Sequence, residues 1–299
     1  MMDPQAIPQY LTSIADRGFV VVPDAFDPAL IGRINETIEE PFNRPAVNGQ
    51  AGFIRFENAR FLSHALTWSR DIINLYTTPA LIQLADSYAG SEVHLSNYRI
   101  YRSFPSTAVK MHWHVDNKID TYDAATGKFS IEMVKDDKGL IMIMYLSDVV
   151  EGGLQIVEGS HLWSFKENRE SWNDREKDFA GKTVTFNNLR RGSAIFYDYR
   201  CIHRAQPFSG DRTRTSVFAQ FSPQWMPAGE PVILNARDIA NLDETQKRVL
   251  NFGSAPTTAN WPVGVPGELF SGRDWLKAGK FLFRRKVRNL LRGELKSVR

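Results

Sequence analysis

The chain has 299 residues, of which 42% are hydrophobic and 24% are charged, proportions that are ordinary for a globular protein. These values exclude a disordered or fibrous chain, and apolar runs such as 140–146 are too short to cross a bilayer. The N-terminus MMDPQAIPQY lacks the basic and apolar regions of a signal peptide, and a single cysteine excludes an internal disulfide. We therefore expect a cytoplasmic protein that is stabilised by its hydrophobic core.

The N-terminal part is predicted to be mainly helical, with one strand. Residues 7–15 have helical apolar spacing, and residues 19–22 (FVVV) form a β-branched run that is typical of a strand. Asp27 followed by Pro28 predicts a helix with the aspartate as its N-cap and the proline at its first position. A second helical block is expected over 63–88.

From residue 92 the pattern changes to short strands separated by turn sequences such as EGG, EGS and SGD. Many short strands at this spacing predict a mainly β fold with flanking helices. The expected core is a double-stranded β-helix, which is a jelly roll of the cupin-like kind. The predicted strands are 93–104, 109–115, 140–146, 154–157, 183–186, 193–197 and 215–221.

The polar segment 117–138 lies between two of these predicted strands. A loop of that length is often a lid or a binding loop, and a surface insertion is the alternative. The sequence leaves both interpretations open.

These patterns together predict a single domain over 1–299. Helical support is expected over 1–91, and the jelly-roll core over about 92–223. A C-terminal extension, 224–299, is expected to end in a basic amphipathic helix at about 275–299.

The net charge of +3 is distributed unevenly along the chain. Residues 273–299 contain ten Lys/Arg and two Asp/Glu, so this tail carries +8 and the remaining residues carry −5. One interpretation is peripheral contact with an anionic membrane surface, where each Lys or Arg near the surface contributes about 1 kcal/mol. The alternatives are a helix docked on the acidic body of the same chain, or a subunit contact. We expect no nucleic-acid partner, because no nucleic-acid-reading motif accompanies the charge.

A candidate metal site lies in the run MHWHVD, in which His112, His114 and Asp116 are two residues apart. On a strand these side chains share one face. An imidazole and a carboxylate at this spacing supply two of the three ligands of a 2-His-1-carboxylate site, which leaves three positions open on a ferrous ion. His112 is a competing ligand, but it lies four residues from Asp116, and we therefore prefer His114.

The third ligand has to come from a distant part of the chain. His203 follows the predicted strand 193–197, and Arg214 comes eleven residues later, at the start of another predicted strand. A guanidinium can hold a carboxylate through two parallel hydrogen bonds. Ser216, two residues further on, adds a hydroxyl on the same face.

With their sequence contexts, these residues resemble the phytanoyl-CoA dioxygenase-like family of iron(II)- and 2-oxoglutarate-dependent oxygenases. DRGFVVVPDAFDPALIGRI resembles that family's N-terminal strand and helix, and YLSDVVEGGLQIVEGSH resembles its strand, glycine turn and "PGSH" element, with Glu158 in place of the proline. RRGSAIFYDYRCIHRAQPFSGDRTRTSVFAQF resembles the end that carries the distal histidine and the arginine. The resemblance covers about 10–222.

The resemblance implies an oxidoreductase that uses Fe(II), 2-oxoglutarate and O2 and releases succinate and CO2. The implied reaction is hydroxylation, or another oxidation, of a small-molecule substrate, for which lipid-linked molecules and secondary metabolites are candidates. Desaturation or ring closure is also open to this chemistry. The alternative is a cupin-like protein that binds a ligand without turnover, although a binder needs no open positions on iron. The implied catalytic iron ligands are His114, Asp116 and His203, and the implied cofactor-binding residues are Arg214, Ser216, Asn97 and Tyr101.

Overall fold

A computed structural model describes much of the chain, and it divides the chain into two compact units, Met1–Asn251 and Phe252–Arg299. The description below concerns the first unit. The predicted basic helix at about 275–299 lies outside the described residues. The described ranges are 1–43, 53–56, 59–62, 64–106, 112–116, 119–123, 128–132, 138–163, 166–167, 176–226 and 232–252, with the backbone alone for 53–56, 119–123, 128–132 and 166–167.

The N-terminal elements confirm the sequence predictions. Helix α1 (Ile7–Arg17) ends at Gly18, whose φ of 90° lies in the left-handed region that a residue without a Cβ enters easily. Strand β1 (Phe19–Val22) follows directly. Helix α2 (Pro28–Asn43) begins as expected, with the Asp27 carboxylate accepting a hydrogen bond from the backbone of the first turn.

The second helical block is also confirmed, as two helices. These are α3 (Arg70–Tyr76) and α4 (Pro79–Ala89), and the break between them falls directly before Pro79. The other described helical segments are single turns or short helices: Pro4–Ala6, Ala65–Thr67, Ser160–Leu162, Glu176–Phe179, Ala236–Ile239 and Glu244–Val249. Within the described ranges, no helix is long and apolar enough to cross a membrane.

Antiparallel strands form the rest of the described fold. The remaining strands are β2 (Phe53–Phe56), β3 (Ala59–Leu62), β4 (Val93–Ser103), β5 (Ile119–Asp123), β6 (Lys128–Glu132), β7 (Leu140–Tyr145), β8 (Leu154–Val157), β9 (Lys166–Glu167), β10 (Thr183–Thr185), β11 (Ala194–Asp198), β12 (His203–Ala205) and β13 (Arg214–Pro223). In the described residues they form a seven-stranded sheet in the order β1-β11-β7-β13-β4-β3-β2 and two three-stranded sheets, β10-β8-β12 and β5-β6-β9. This architecture is the predicted jelly roll with flanking helices.

The core lies between the seven-stranded sheet and the β10-β8-β12 sheet. Residues two apart on a strand point to the same face, so each sheet has one face of apolar side chains. The buried side chains of the two inner faces meet in this core. Helices α1 and α4 pack against the seven-stranded sheet. The buried cluster includes Ile141, Tyr145, Leu154, Ile156, Ile195 and Tyr197.

Most of the predicted strands are confirmed to within two residues, but the strand expected over 109–115 is wrong where the structure describes it. Residues 112–116 form no strand, and His114 makes only an isolated bridge with His203. The bridge does not extend into a ladder, because the backbone N–H of Asp116 donates to the Tyr199 carbonyl. A regular antiparallel ladder would instead pair Asp116 with Cys201. Residues 109–111 lie outside the described residues.

Two hairpins were not predicted. The segment 117–138, expected to be a loop, contains β5 and β6, which pair with each other. Phe129 and Ile131 carry the alternation of a strand, but charged neighbours obscure it. Strands β2 and β3 also pair with each other, and β3 joins the seven-stranded sheet through β4.

Candidate metal and co-substrate site

A cavity of about 610 Å³ lies between the two facing sheets. Strands β3, β4, β7, β11 and β13 contribute side chains to one wall, and β8 and β12 contribute to the other. The cavity size falls within the range that is usual for small-molecule sites, about 300–1,000 Å³.

The three predicted metal ligands come together on the wall of this cavity. The potential ligand atoms of His114, Asp116 and His203 all lie within 4.8 Å of one another. Nε2 of His203 is 3.3 Å from one Asp116 oxygen, and Nε2 of His114 is 3.9 Å from the other. The structure thus brings together residues that are almost ninety positions apart in the chain.

A single pair of backbone hydrogen bonds explains why the two histidines meet. The N–H of His114 donates to the carbonyl of His203 at 3.0 Å, and the N–H of His203 donates to the carbonyl of His114 at 2.9 Å. Two residues that exchange both bonds lie directly opposite each other, with side chains on the same face. The ring centroids are accordingly 4.3 Å apart.

Both imidazoles are oriented by the backbone two residues earlier in the chain. Nδ1 of His114 is 2.9 Å from the carbonyl oxygen of His112, and Nδ1 of His203 is 3.0 Å from that of Cys201. A carbonyl oxygen only accepts, so each Nδ1 carries the proton and donates it. In the neutral ring each Nε2 then holds a lone pair, which is the form that binds a metal ion.

The electrostatics of the cluster favour a cation. Two nitrogen lone pairs and a carboxylate face one another across 3.3 Å and 3.9 Å, an arrangement that repels unless a proton or a metal ion lies between them. Burial alone lowers the pKa of His203, but the Asp116 carboxylate and the Cys201 carbonyl outweigh it and raise this pKa above the ordinary value. The donor set of two imidazoles and one carboxylate therefore fits an iron(II) ion.

The turn between β11 and β12, directly before His203, is stabilised by a buried ion pair. Asp198 is fully buried and Arg200 is 6% exposed, and the Arg200 Nη2 donates to the Asp198 carboxylate at 2.6 Å. The Tyr88 hydroxyl donates to the same carboxylate at 2.5 Å. This network joins the end of β11 to helix α4 through Tyr88. Arg200 directly precedes Cys201, whose carbonyl orients His203.

Arg214 presents a cation to the same cavity. Its Nη1 is buried and, within the described part of the chain, has no hydrogen-bond partner. Its Cζ lies 5.2 Å from the Phe208 ring centroid. Burial lowers the pKa of Arg214, since the charged form loses hydration there. A buried guanidinium of this kind has high affinity for a carboxylate.

The other predicted co-substrate residues line the cavity as well. Ser216 lies opposite Tyr101 on β4 and opposite Tyr145 on β7. Asn97 also lines the cavity, and its Oδ1 is buried without a hydrogen-bond partner among the described residues. All seven predicted site residues therefore lie in one cavity, although their roles stay predictions.

His112, the competing ligand, is not part of the cluster. Its side chain is exposed, and its contribution to the site is the backbone carbonyl that orients His114. His161 is buried and its Nε2 lies 2.9 Å from the Ala15 carbonyl, where it joins the turn after β8 to helix α1.

Sequence reasoning missed several residues that line the cavity. Arg99 lies between Asn97 and Tyr101 on the same face of β4, so strand alternation from those two residues would have found it. Tyr197 was also missed, and its hydroxyl is 3.3 Å from Nε2 of His203. Burial and the Asp116 charge raise the pKa of Tyr197, which keeps this hydroxyl protonated beside the cluster.

A sequence model of the family described as "Phytanoyl-CoA dioxygenase (PhyH)" matches residues 14–216, which is more than half of the chain. No curated protein matches the sequence significantly.

Several solved structures share this fold. The epimerase SnoN, crystallised with Fe3+, alpha ketoglutarate and nogalamycin RO, is 21% identical, with 91% of this chain and 98% of SnoN covered and a TM-score of 0.55. The carbocyclase SnoK from nogalamycin biosynthesis is 16% identical, with 79% and 90% covered and a TM-score of 0.56. HygX from Streptomyces hygroscopicus, crystallised with nickel, 2-oxoglutarate and hygromycin B, is 16% identical, with 74% and 88% covered and a TM-score of 0.56.

Proposed function

Because the chain belongs to the phytanoyl-CoA dioxygenase family, and is therefore an enzyme that depends on iron and 2-oxoglutarate, we propose that it oxidises a small-molecule substrate with release of succinate and CO2. Hydroxylation is the outcome that we propose first. The observation that carries the proposal is the convergence of His114, Asp116 and His203 in the cavity that also holds Arg214.

In this proposal, His114, Asp116 and His203 hold the iron. The Cys201 and His112 carbonyls keep both rings in the tautomer that presents Nε2, so little reorganisation is needed when the metal binds. Bound iron, with 2-oxoglutarate and O2, supplies the oxidising power for attack on a substrate C–H bond.

Arg214 holds the distal carboxylate of 2-oxoglutarate in this proposal. Its buried Nη1 gains a partner when that carboxylate arrives, and the hydroxyl of Ser216 lies on the same face of β13. Asn97 and Tyr101 line the wall contributed by β4 and supply further polar contacts to the co-substrate. The sheets exclude water from the buried side of the site, which strengthens each of these interactions.

The part of the cavity that the co-substrate leaves open is available to the substrate. SnoN and HygX were crystallised with nogalamycin RO and hygromycin B, which supports a small molecule over a protein or nucleic acid as the substrate here. A non-catalytic ligand-binding protein is the alternative. Arg214 argues against it, because its buried Nη1, which has no hydrogen-bond partner among the described residues, suits the distal carboxylate of 2-oxoglutarate.

Succinate formation by the purified protein tests the proposal. We expect Fe(II)-dependent conversion of 2-oxoglutarate to succinate, slow without substrate, and loss of this activity in His114→Ala, Asp116→Ala and His203→Ala. His112→Ala is the matched control, because it keeps the backbone carbonyl that orients His114 and is expected to retain activity. Equal activity in all four variants, or none in the wild type with added iron, would refute the proposal.

A further inference from the structure

We propose that Asn97 is a specificity-determining residue whose side-chain oxygen accepts a hydrogen bond from the substrate, so that the substrate carries a hydroxyl or N–H group on an apolar, ring-shaped body. This inference rests on the proposed function, because it assigns to the substrate a part of the cavity that iron and 2-oxoglutarate leave open.

The first observation is the Asn97 side chain itself. It lines the cavity, and its Oδ1 is buried and has no hydrogen-bond partner among the residues that the structure describes. Buried polar atoms in folded proteins are almost always hydrogen-bonded. An acceptor without a partner on the wall of a cavity therefore indicates a ligand that donates a hydrogen bond.

The second observation concerns the chemistry of the co-substrate. At neutral pH, 2-oxoglutarate has two ionised carboxylates and a ketone, and all of these groups only accept hydrogen bonds. It can accept from Nδ2 of Asn97, but it has no proton to donate to Oδ1. The donor for Oδ1 therefore has to come from another bound molecule, and a hydroxyl or N–H group of the substrate supplies it.

The third observation is the position of Asn97 on the seven-stranded sheet. Paired residues on β11, β7, β13 and β4 align Asn97 with Tyr197, whose hydroxyl is 3.3 Å from Nε2 of His203. Arg214 precedes Gln220, the partner of Asn97 on β13, by six residues, which is about 20 Å along a strand. The substrate donor thus meets Asn97 at the level of the metal cluster, far from the carboxylate that Arg214 holds.

The wall beside Asn97 is aromatic. Phe218 lies diagonally across from Asn97, two residues from its partner on β13, and residues so placed are about 7–8 Å apart. The Phe218 ring packs edge-on against Tyr101 at a centroid distance of 6.1 Å, and Tyr101 packs against Phe61 at 4.4 Å. All three rings line the cavity. An apolar, ring-shaped body therefore packs on these rings while its donor group meets Oδ1.

Calorimetric titration of the nickel-loaded protein tests the inference, since nickel(II) replaces iron without turnover. The protein is first saturated with 2-oxoglutarate, and cyclohexanol and cyclohexanone are then titrated separately. The two rings are nearly equal in size and both oxygens accept hydrogen bonds, but only the alcohol donates one. We expect cyclohexanol to bind about three- to tenfold more tightly than cyclohexanone, which is the effect of one hydrogen bond between neutral groups.

Two variants separate the role of the Asn97 oxygen from that of its nitrogen. Asn97→Leu removes both atoms, and we expect it to lose the preference for cyclohexanol. Asn97→Asp keeps an accepting oxygen but loses the Nδ2 donor, and we expect it to keep the preference.

Ser96→Ala is the matched control, because Ser96 precedes Asn97 but points to the other face of β4, where it bonds to the Ser222 hydroxyl at 2.8 Å. It is expected to keep the preference for cyclohexanol. Equal binding of the two compounds to the wild type, no binding of cyclohexanol, a preference that survives in Asn97→Leu or one that vanishes in Asn97→Asp would overturn the inference. A wild type that fails to bind 2-oxoglutarate refutes the proposed function itself.

Discussion

At the scale of single residues, the histidines of the candidate centre share one arrangement. Each ring donates from Nδ1 to a carbonyl two residues earlier, and each presents Nε2 to Asp116. The residue types and the two-residue spacing of His114 and Asp116 could be read from the sequence. The carbonyl partners could not, because they depend on backbone directions in a segment that forms no regular strand.

Arg214 allows a direct test of co-substrate recognition. Arg214→Gln removes a buried charge-assisted hydrogen-bond donor, and such bonds contribute about 1.5–3 kcal/mol each. We therefore expect the KM for 2-oxoglutarate to rise about 10- to 100-fold, measured by succinate release. Arg212→Gln is the control, since Arg212 is exposed two residues earlier, and an equal rise in that variant would contradict the assignment.

His94 makes a prediction about stability and pH. Burial lowers the pKa of this fully buried histidine to about 4, against an ordinary value of about 6.5 in the unfolded chain, and the Pro223 backbone opposes the shift only in part. Between pH 6.5 and pH 4, His94 is protonated in the unfolded chain but neutral in the folded chain. Stability therefore falls as the pH drops from about 6.5 to about 4, by roughly 3 kcal/mol from this residue.

Urea unfolding at several pH values measures this effect. His94→Leu places an apolar, non-titrating side chain of similar size at the site. In this variant we expect a smaller loss of stability between pH 7 and pH 4 than in the wild type. The same pH dependence in both proteins would show that His94 is not the group responsible.

At the scale of elements, the jelly roll could be predicted because most of its strands carry their own signals. Strands such as β7 and β8 are apolar runs bounded by turn residues, and they appear within a residue or two of the predicted limits. The hairpin of β2 and β3 escaped prediction because arginine interrupts both of its apolar runs, FIRF and ARFL. The bridge between His114 and His203 escaped prediction because it depends on pairing between distant segments.

The turn between β11 and β12 carries an element-scale prediction. Asp198→Asn removes the charge of the carboxylate that pairs with the buried Arg200, and breaking a buried pair in this way costs about 3–5 kcal/mol. We expect a loss of this size in the free energy of urea unfolding. Tyr88→Phe removes only one hydrogen bond to the same carboxylate and is expected to cost less. Equal losses in the two variants would contradict a stabilising role for the ion pair.

At the scale of the whole molecule, the sequence separates an acidic body from a basic tail, and the tail lies outside the described residues. Contact of this tail with a membrane surface stays a prediction. On that interpretation, the full chain floats with vesicles that contain phosphatidylserine and does not float with neutral phosphatidylcholine vesicles. Replacing Arg285, Arg288 and Arg292 with glutamine is expected to weaken this binding by about 3 kcal/mol, roughly 100-fold.

Salt supplies the control for this prediction, because screening weakens an electrostatic attachment. If neither the full chain nor the variant distinguishes anionic from neutral vesicles, the alternatives are favoured, which are a helix docked on the acidic body or a subunit contact.

The substrate cavity also belongs to the molecular scale. Strands from many parts of the chain build its walls, so the sequence could indicate the type of cofactor but not the shape of the substrate.

The location of iron tests the central claim most directly. Anomalous diffraction at the iron edge, from crystals grown without oxygen in the presence of Fe(II) and 2-oxoglutarate, is expected to show one ion within about 2 Å of His114 Nε2, His203 Nε2 and the Asp116 carboxylate. The same crystals are expected to show the distal carboxylate of 2-oxoglutarate hydrogen-bonded to Arg214. An ion bound elsewhere, or 2-oxoglutarate bound away from Arg214, would contradict the account.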